Sequence, residues 1–287
     1  MKKNLKKVAS MVLAMAVFAA ASAFPVFAEP EQPQETAAAY TGEEITPDIA
    51  AYSAGVRLEK GVDYDLAYEN NVNVGTATVI ITFKGNYTGT RTANFNIVAR
   101  ELSGSDVVFG AIDNQVYTGG EIKPEPTITH GDVTLVKDKD YTLSYADNLN
   151  VGTGKVLVTF IGNFTGSAET TFEIVPDELS TKDVAFSKID NQTYTGSAIT
   201  PEAEITYRGV TLEKDKDYTV SYENNVNAGT ATIHVTFIGN YVGSAETTFE
   251  IIPRTADESI ITISAIPDQT YTGAEITPEP TVTDISR

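Results

Sequence analysis

The chain has 287 residues, with 39 Asp plus Glu against 20 Lys plus Arg, two histidines, no cysteine and no tryptophan. A formal charge of −19 excludes a nucleic-acid partner, because a phosphate backbone needs a basic face. Absent cysteine removes disulfides, thiolate metal sites and cysteine nucleophiles, and His130 and His234 leave little imidazole chemistry, yet 41% hydrophobic residues suffice to bury cores.

Lys2, Lys3, Lys6 and Lys7 precede an apolar run from Val8 to about Ala23, which Phe24-Pro25 breaks before the small-residue site Val26-Phe27-Ala28. This predicts a signal peptide over residues 1–28 and export through the Sec pathway to an extracellular or cell-surface location. The run is short for a membrane span, so the membrane is expected to be met only before cleavage. Cleavage removes four lysines and takes the charge from −19 to −23. Residues 29–39, rich in Glu, Pro, Gln and Ala, read as a flexible leader.

Tyr-Thr-Gly then recurs at Tyr40, Tyr117, Tyr194 and Tyr271, each 77 residues from the last. Between these marks there are no insertions or deletions. Asp63-Tyr64 becomes Asp140-Tyr141 and Asp217-Tyr218, and Asn70-Asn71 becomes Asp147-Asn148 and Asn224-Asn225. Gly75-Thr76 becomes Gly152-Thr153 and Gly229-Thr230, while Gly85-Asn86-Tyr87 becomes Gly162-Asn163-Phe164 and Gly239-Asn240-Tyr241. Recurrence at a fixed period marks a tandem array of one structural unit.

Within a unit the hydrophobic period is that of strands. Tyr64, Leu66 and Tyr68 share one parity, as do Ala77, Val79, Ile81 and Phe83. In the third unit Ala231, Ile233, Val235 and Phe237 alternate with Thr232, His234 and Thr236, one set facing a core and the other water. Gly, Asn and Asp punctuate these runs, and nothing after the signal has helical spacing. The fold class predicted is all-β: tandem Ig-like β-sandwich domains in a string. The boundaries are 40–98 for repeat 1, 105–175 for repeat 2, 182–252 for repeat 3 and 259–287 for a truncated repeat 4. Val107-Val108-Phe109, Val184-Ala185-Phe186 and Ile260–Ile263 read as opening strands, which repeat 1 lacks. The polar stretch 177–182 reads as a linker, giving a semi-rigid, monomeric string of about 35–40 Å per domain.

The ordered motifs Tyr-Thr-Gly-x-x-Ile-Thr-Pro, Leu-x-x-x-x-Asp-Tyr, Asn-Asn-x-Asn-x-Gly-Thr, Gly-Asn-Tyr-x-Gly and Phe-x-Ile resemble tandem bacterial immunoglobulin-like repeats of Gram-positive surface proteins, of the MBG or YDG type. The resemblance covers residues 40–287. It implies a β-sandwich serving as a stalk or adhesive module, with no catalytic residue and no defined ligand site. No Leu-Pro-x-Thr-Gly signal occurs in the 287 residues, so the mode of anchoring stays open.

Several residue groups carry alternative chemistry. Asp138-Lys139-Asp140 and Asp215-Lys216-Asp217 offer carboxylates for calcium, but repeat 1 has Gly61-Val62-Asp63 there, and a solvated turn is the reading favoured. Glu59 and Glu213 as glycosidase acids would need a cleft that a 77-residue unit has no loops to build. Tyr64, Tyr68, Tyr87, Phe164 and Tyr241 invite sugar stacking, yet their parity or glycine neighbours favour core and corner packing. Lys60, Lys137 and Lys214 recur near asparagines, as an isopeptide crosslink requires, but in a charged turn.

The expectation is therefore a non-enzymatic, secreted or cell-surface protein with no catalytic, metal or cofactor site, acting as a structural stalk or adhesive module. The alternatives are a glycan-binding module, or accessory domains of a larger exported enzyme encoded beyond Arg287. The partner is an unknown surface protein or glycan. Because the fourth unit stops at Arg287, residues from about 255 onward are expected to be disordered and the natural product longer.

Overall fold

The computed structural model describes residues 17–18, 37–257 and 259–285. The predicted signal peptide and leader otherwise lie outside the described residues. Among those described, the chain is all-β, without a helix. It divides into two compact units. One holds Met1–Asp113, Lys123–Asp147 and Gly154–Phe172; the other holds Asn114–Ile122, Asn148–Thr153 and Glu173–Arg287. Repeat 1 lies wholly in the first, repeat 3 wholly in the second, and repeat 2 contributes to each.

Repeat 3 shows how the alternating sequence builds an Ig-like sandwich. Strands Tyr218–Glu223, Gly229–Phe237 and Tyr241–Ile252 form an antiparallel meander in which Tyr218 faces Phe237 and Ala231 faces Phe249. Two short strands, Asp177–Ser180 and Gln192–Thr193, both pair in parallel with Tyr241–Ile252, near opposite ends of that strand. The second sheet consists of Val184–Phe186, Ile205–Tyr207 and Val210–Thr211. The parity read from sequence places Ala231, Ile233, Val235, Phe237, Tyr218 and Phe249 in the core, with Phe237 only 3% exposed. His234 projects outward between Glu223 and Glu246, at 3.2 and 3.7 Å.

Repeat 2 follows the same strand order, and repeat 1 follows it from Ala38–Ala39 onward. In repeat 1 the opening-strand positions fall mostly on residues outside those described. Val17–Phe18 pairs in parallel with Ala51–Tyr52.

Two expectations are corrected. The stretch expected as a linker, residues 177–182, contains the strand Asp177–Ser180, whose Leu179 is 2% exposed within the repeat 3 core. Its counterpart Arg100–Leu102 enters repeat 2 in the same way, with Leu102 buried. Three of four residues in such a strand are polar because one Leu alone faces inward, which gives the segment the composition of a linker. Repeat 3 thus has its first strand ahead of residue 182. Residues after 255, expected to be disordered, instead hold a two-stranded antiparallel ribbon, Ile261–Ile263 with Val282–Asp284. The pairing copies that of Val184–Phe186 with Ile205–Tyr207 and closes with Ile285 N–H on the Ile260 carbonyl. Its Ile263, Tyr271 and Val282 are exposed.

Candidate functional site: the joints between repeats

The residues weighed for chemistry occupy structural roles. Asp63, Asp140 and Asp217 each accept the backbone N–H four residues upstream, of Glu59, Val136 and Glu213, at 2.8 Å. They clamp the turn that leads into the tyrosine strand. Asp138 and Asp215 sit at φ +64° and +66°, as small polar residues in a left-handed turn do. Among the described residues no group of three or more His, Asp or Glu is placed to hold a metal ion. Glu59 is exposed in its turn, and Glu213 pairs with Lys216 at 2.9 Å.

Lys60 bonds Asp48 at 3.1 Å, Lys214 bonds Glu202 at 2.9 Å, and Lys137 bonds Glu125. The partners are carboxylates, not asparagines, and the pairs are largely exposed. Each hydrogen bond raises its lysine above the ordinary value. Tyr64, Tyr141 and Tyr218 are core residues. Tyr68, Tyr145 and Tyr222 donate to the carbonyls of Pro47, Pro124 and Pro201 at 2.7, 3.0 and 2.9 Å, and burial raises their phenols. A crevice of about 330 Å³ in repeat 3, lined by Glu202, Lys214, Tyr218 and Tyr222 among others, has Lys214 already bonded to Glu202 and Tyr222 to the Pro201 carbonyl. A second, of about 530 Å³, lies beside Asp48, Lys60 and Tyr64 in repeat 1.

The recurrent motifs converge elsewhere. Asn71, Asn148 and Asn225 donate from Nδ2 to the carbonyls of Ile45, Ile122 and Ile199, and accept the same residues' N–H on their own carbonyls at 2.8 Å. This two-bond clip ties the Asn-Asn loop to the segment after Tyr-Thr-Gly. Loop and tyrosine together form the trailing end of each repeat.

Against that end rests the Gly-Asn-aromatic turn of the next repeat. In the first unit, Val74 N–H donates to Asn163 Oδ1 at 2.9 Å, and Asn163 Nδ2 donates to Asn73 Oδ1 at 2.9 Å. The Tyr40 ring meets Phe164 edge-on at 5.3 Å, and Arg100 N–H, on the connecting chain, donates to the Asn163 carbonyl at 3.0 Å. In the second unit the set repeats, with Val151 on Asn240 at 2.9 Å and Asn240 on Asn150 at 3.1 Å. Tyr117 meets Tyr241 at 5.4 Å, and Asp177 N–H bonds the Asn240 carbonyl at 3.1 Å. One asparagine thus holds three strands of contact, uncharged and salt-insensitive, at each joint. Burial pushes the Tyr241 phenol up to about 12. Tyr207, half-buried beside it, donates to Asp177 Oδ2 at 2.7 Å and is likewise raised to about 12, chiefly by burial and then by that carboxylate.

Sequence reading placed Tyr87, Phe164 and Tyr241 over turns but missed the joint. The available signal was that Asn86, Asn163 and Asn240 recur unchanged at positions where a turn alone would accept Asp or Gly. Among the described residues no helix is long and apolar enough to cross a membrane.

No family model matches the chain, and no curated protein sequence matches it. Among solved structures it is similar to a protocadherin gammaB7 EC3-6 cis-dimer structure, at 10% identity over 91% of this chain and 83% of that one, TM-score 0.25. It is also similar to Sidekick-1 immunoglobulin domains 1-5, at 12% identity over 70% of this chain and TM-score 0.21. The match spans 51% of the Sidekick-1 chain.

Proposed function

We propose that the chain is a non-catalytic, exported surface protein of the MBG or YDG type from a Gram-positive style cell, whose repeats form a stalk of fixed repeat-to-repeat geometry. The observation that carries this reading is the joint, built twice from the same residues 77 positions apart with bond lengths that agree within about 0.2 Å. A flexible tether would not need side-chain and ring contacts between neighbours, and a catalytic module would not repeat them. Small-angle scattering on the secreted chain tests it. Asn163→Ala combined with Asn240→Ala is expected to shorten and broaden the particle's distance distribution while the circular-dichroism spectrum stays unchanged. An identical scattering profile would refute the joint as the source of stiffness. The runner-up is a glycan-binding module using the Lys214–Tyr222 crevice, which a positive glycan array abolished by Tyr222→Ala would favour. A third reading, accessory domains of a larger exported enzyme, would be favoured by a catalytic domain encoded in the same gene.

A further inference from the structure

Repeat 3 departs from its sister repeats at three positions that meet in one place, the crevice beside its strand Tyr218–Glu223. Where repeats 1 and 2 carry Ile49 and Pro126, both buried, repeat 3 carries the half-buried Ala203. Leu66 and Leu143 give way to Val220. Ile233, in place of Val79 and Val156, returns a single carbon, and Val235 gives one up against Ile81. The third departure is a charge: Glu204 stands where the others have Ala50 and Thr127. Ala203, Glu204 and Val220 all line the crevice of about 330 Å³, whose floor is the aliphatic Ile205, Leu212 and Ile233. Repeat 3 thus has an apolar socket where its sisters have bulk, and an added carboxylate at the mouth.

Beside the socket runs a sheet edge. Among the described residues Tyr218–Glu223 ends its sheet, pairing with Gly229–Phe237 on one side. On the other side the Tyr218 carbonyl accepts Asp215 N–H at 2.8 Å, and ladder alternation turns the N–H and C=O of Val220 and Tyr222 the same way. A strand laid along this edge points alternate side chains toward the crevice. The polar groups there are already engaged: Lys214 with Glu202, Tyr222 with the Pro201 carbonyl, and Thr211 Oγ1 with Glu204 Oε1 at 2.8 Å. An aliphatic floor with committed donors leaves sugar hydroxyls unpaired and suits an apolar side chain. The Glu204 carboxylate is exposed and holds a hydroxyl rather than a cation, so it is the group left to meet a positive charge.

We propose that repeat 3 binds an extended, basic peptide segment of a partner protein by strand addition along Tyr218–Glu223. One bulky apolar side chain of the peptide sits between Ala203 and Val220, and a Lys or Arg two residues away meets Glu204. Residues two apart in a strand share a face about 7 Å apart, and Ala203 and Glu204 are neighbours in the chain, so one peptide reaches both. Repeats 1 and 2 have the same edge but neither the socket nor the carboxylate, which confines the site to repeat 3.

Fluorescence anisotropy with the secreted chain titrated to about 1 mM, a range that suits a small interface, tests this on labelled heptapeptides. Threonine alternates with the tested residues: the second and sixth are both Lys or both Glu, and the central one is Leu, Phe or Ala. Lys peptides with central Leu or Phe should bind about ten- to a hundredfold more tightly than the one with Ala, the gain from burying one large apolar side chain. They should also bind more tightly than the Glu peptides, most clearly at low salt. Ala203→Ile and Val220→Leu each restore a residue that a sister repeat carries in the same fold, so both should keep the parent's circular-dichroism spectrum. Both should weaken binding, Ala203→Ile by about tenfold or more. Glu204→Thr, which restores the residue of repeat 2, should keep the preference for Leu over Ala and cut that for Lys over Glu about two- to fivefold. Failure of every peptide to bind overturns the inference, as does binding that Ala203→Ile and Val220→Leu leave unchanged, or equal binding of Lys and Glu peptides. A glycan-array signal lost in Ala203→Ile would overturn it in favour of a sugar. None of these residues takes part in the joints, so each of those failures leaves the stalk reading standing.

Discussion

Phe237 closes the strand Gly229–Phe237 opposite Tyr218 and is buried among Ile233, Val235 and Phe249. Truncating it leaves a cavity in a small core, so Phe237→Ala should destabilise repeat 3 by about 3–5 kcal/mol. Hydrogen exchange of repeat 3 peptides in the full chain reads this locally, and a change under about 1 kcal/mol would contradict the core assignment. Tyr207 carries a pH dependence. Its phenol is raised from 10.0 to about 12 in the native state. Above pH 10 the unfolded chain releases this proton while the folded chain still holds it, so stability present below pH 10 is lost as pH climbs to about 12. Tyr207→Phe should flatten the fall in melting temperature across that window, leaving the remainder to groups such as Tyr241. An unaltered alkaline slope would show that the Tyr207–Asp177 bond does not form.

At the scale of elements, the short entering strands decide how each repeat begins. Asp177–Ser180 contributes one buried side chain and a parallel ladder to Tyr241–Ser244. Gly243 permits that approach twice over, through φ +107° and through the absence of a Cβ facing the Leu179 carbonyl. Gly243→Ala should therefore expel the strand as well as strain the backbone, which alone costs about 1–3 kcal/mol. Gly89→Ala, at φ +104° and with no described residue within 4 Å of the added Cβ, carries the strain alone. Exchange protection around Leu179 should collapse in the first variant, while repeat 1 in the second loses only the strain. Equal losses would show that the entering strand adds nothing. The Asp-Tyr turns work locally: each carboxylate occupied by a backbone N–H is one less available to a cation.

Across the whole molecule, acidity is spread rather than gathered. The three full repeats carry −5, −6 and −7, counted from each Tyr-Thr-Gly. The carboxylates lie largely in turns and on outward strand positions, some bonded to lysines, as Asp48, Asp65 and Glu202 are, and some to backbone N–H, as Asp63, Asp140 and Asp217 are. Melting curves in excess EDTA and in millimolar calcium should then nearly coincide, since a ligand raises stability only by binding the native state. A calcium-dependent rise of about 10 °C would reveal a site that the arrangement of carboxylates does not suggest.

The sequence by itself determined the long alternating strands, their inward faces and the 77-residue unit. Side-chain alternation is a local property with period two, and one buried face leaves its mark on every second residue, as Ala231, Ile233, Val235 and Phe237 demonstrate. Turn chemistry was legible for the same reason: Gly75, Gly152 and Gly229 share φ near +135° because each must turn the chain at the same step. Tertiary structure alone decided where the entering strands lie, because a strand with one inward Leu has the composition of a linker and is recognised only by what it pairs with. It also decided the meaning of Asn163 and Asn240. Their partners Asn73 and Asn150 stand 90 residues away in sequence. Recurrence reveals that a residue is needed in every unit, but the contact it makes belongs to the neighbouring unit, and only packing brings the two together.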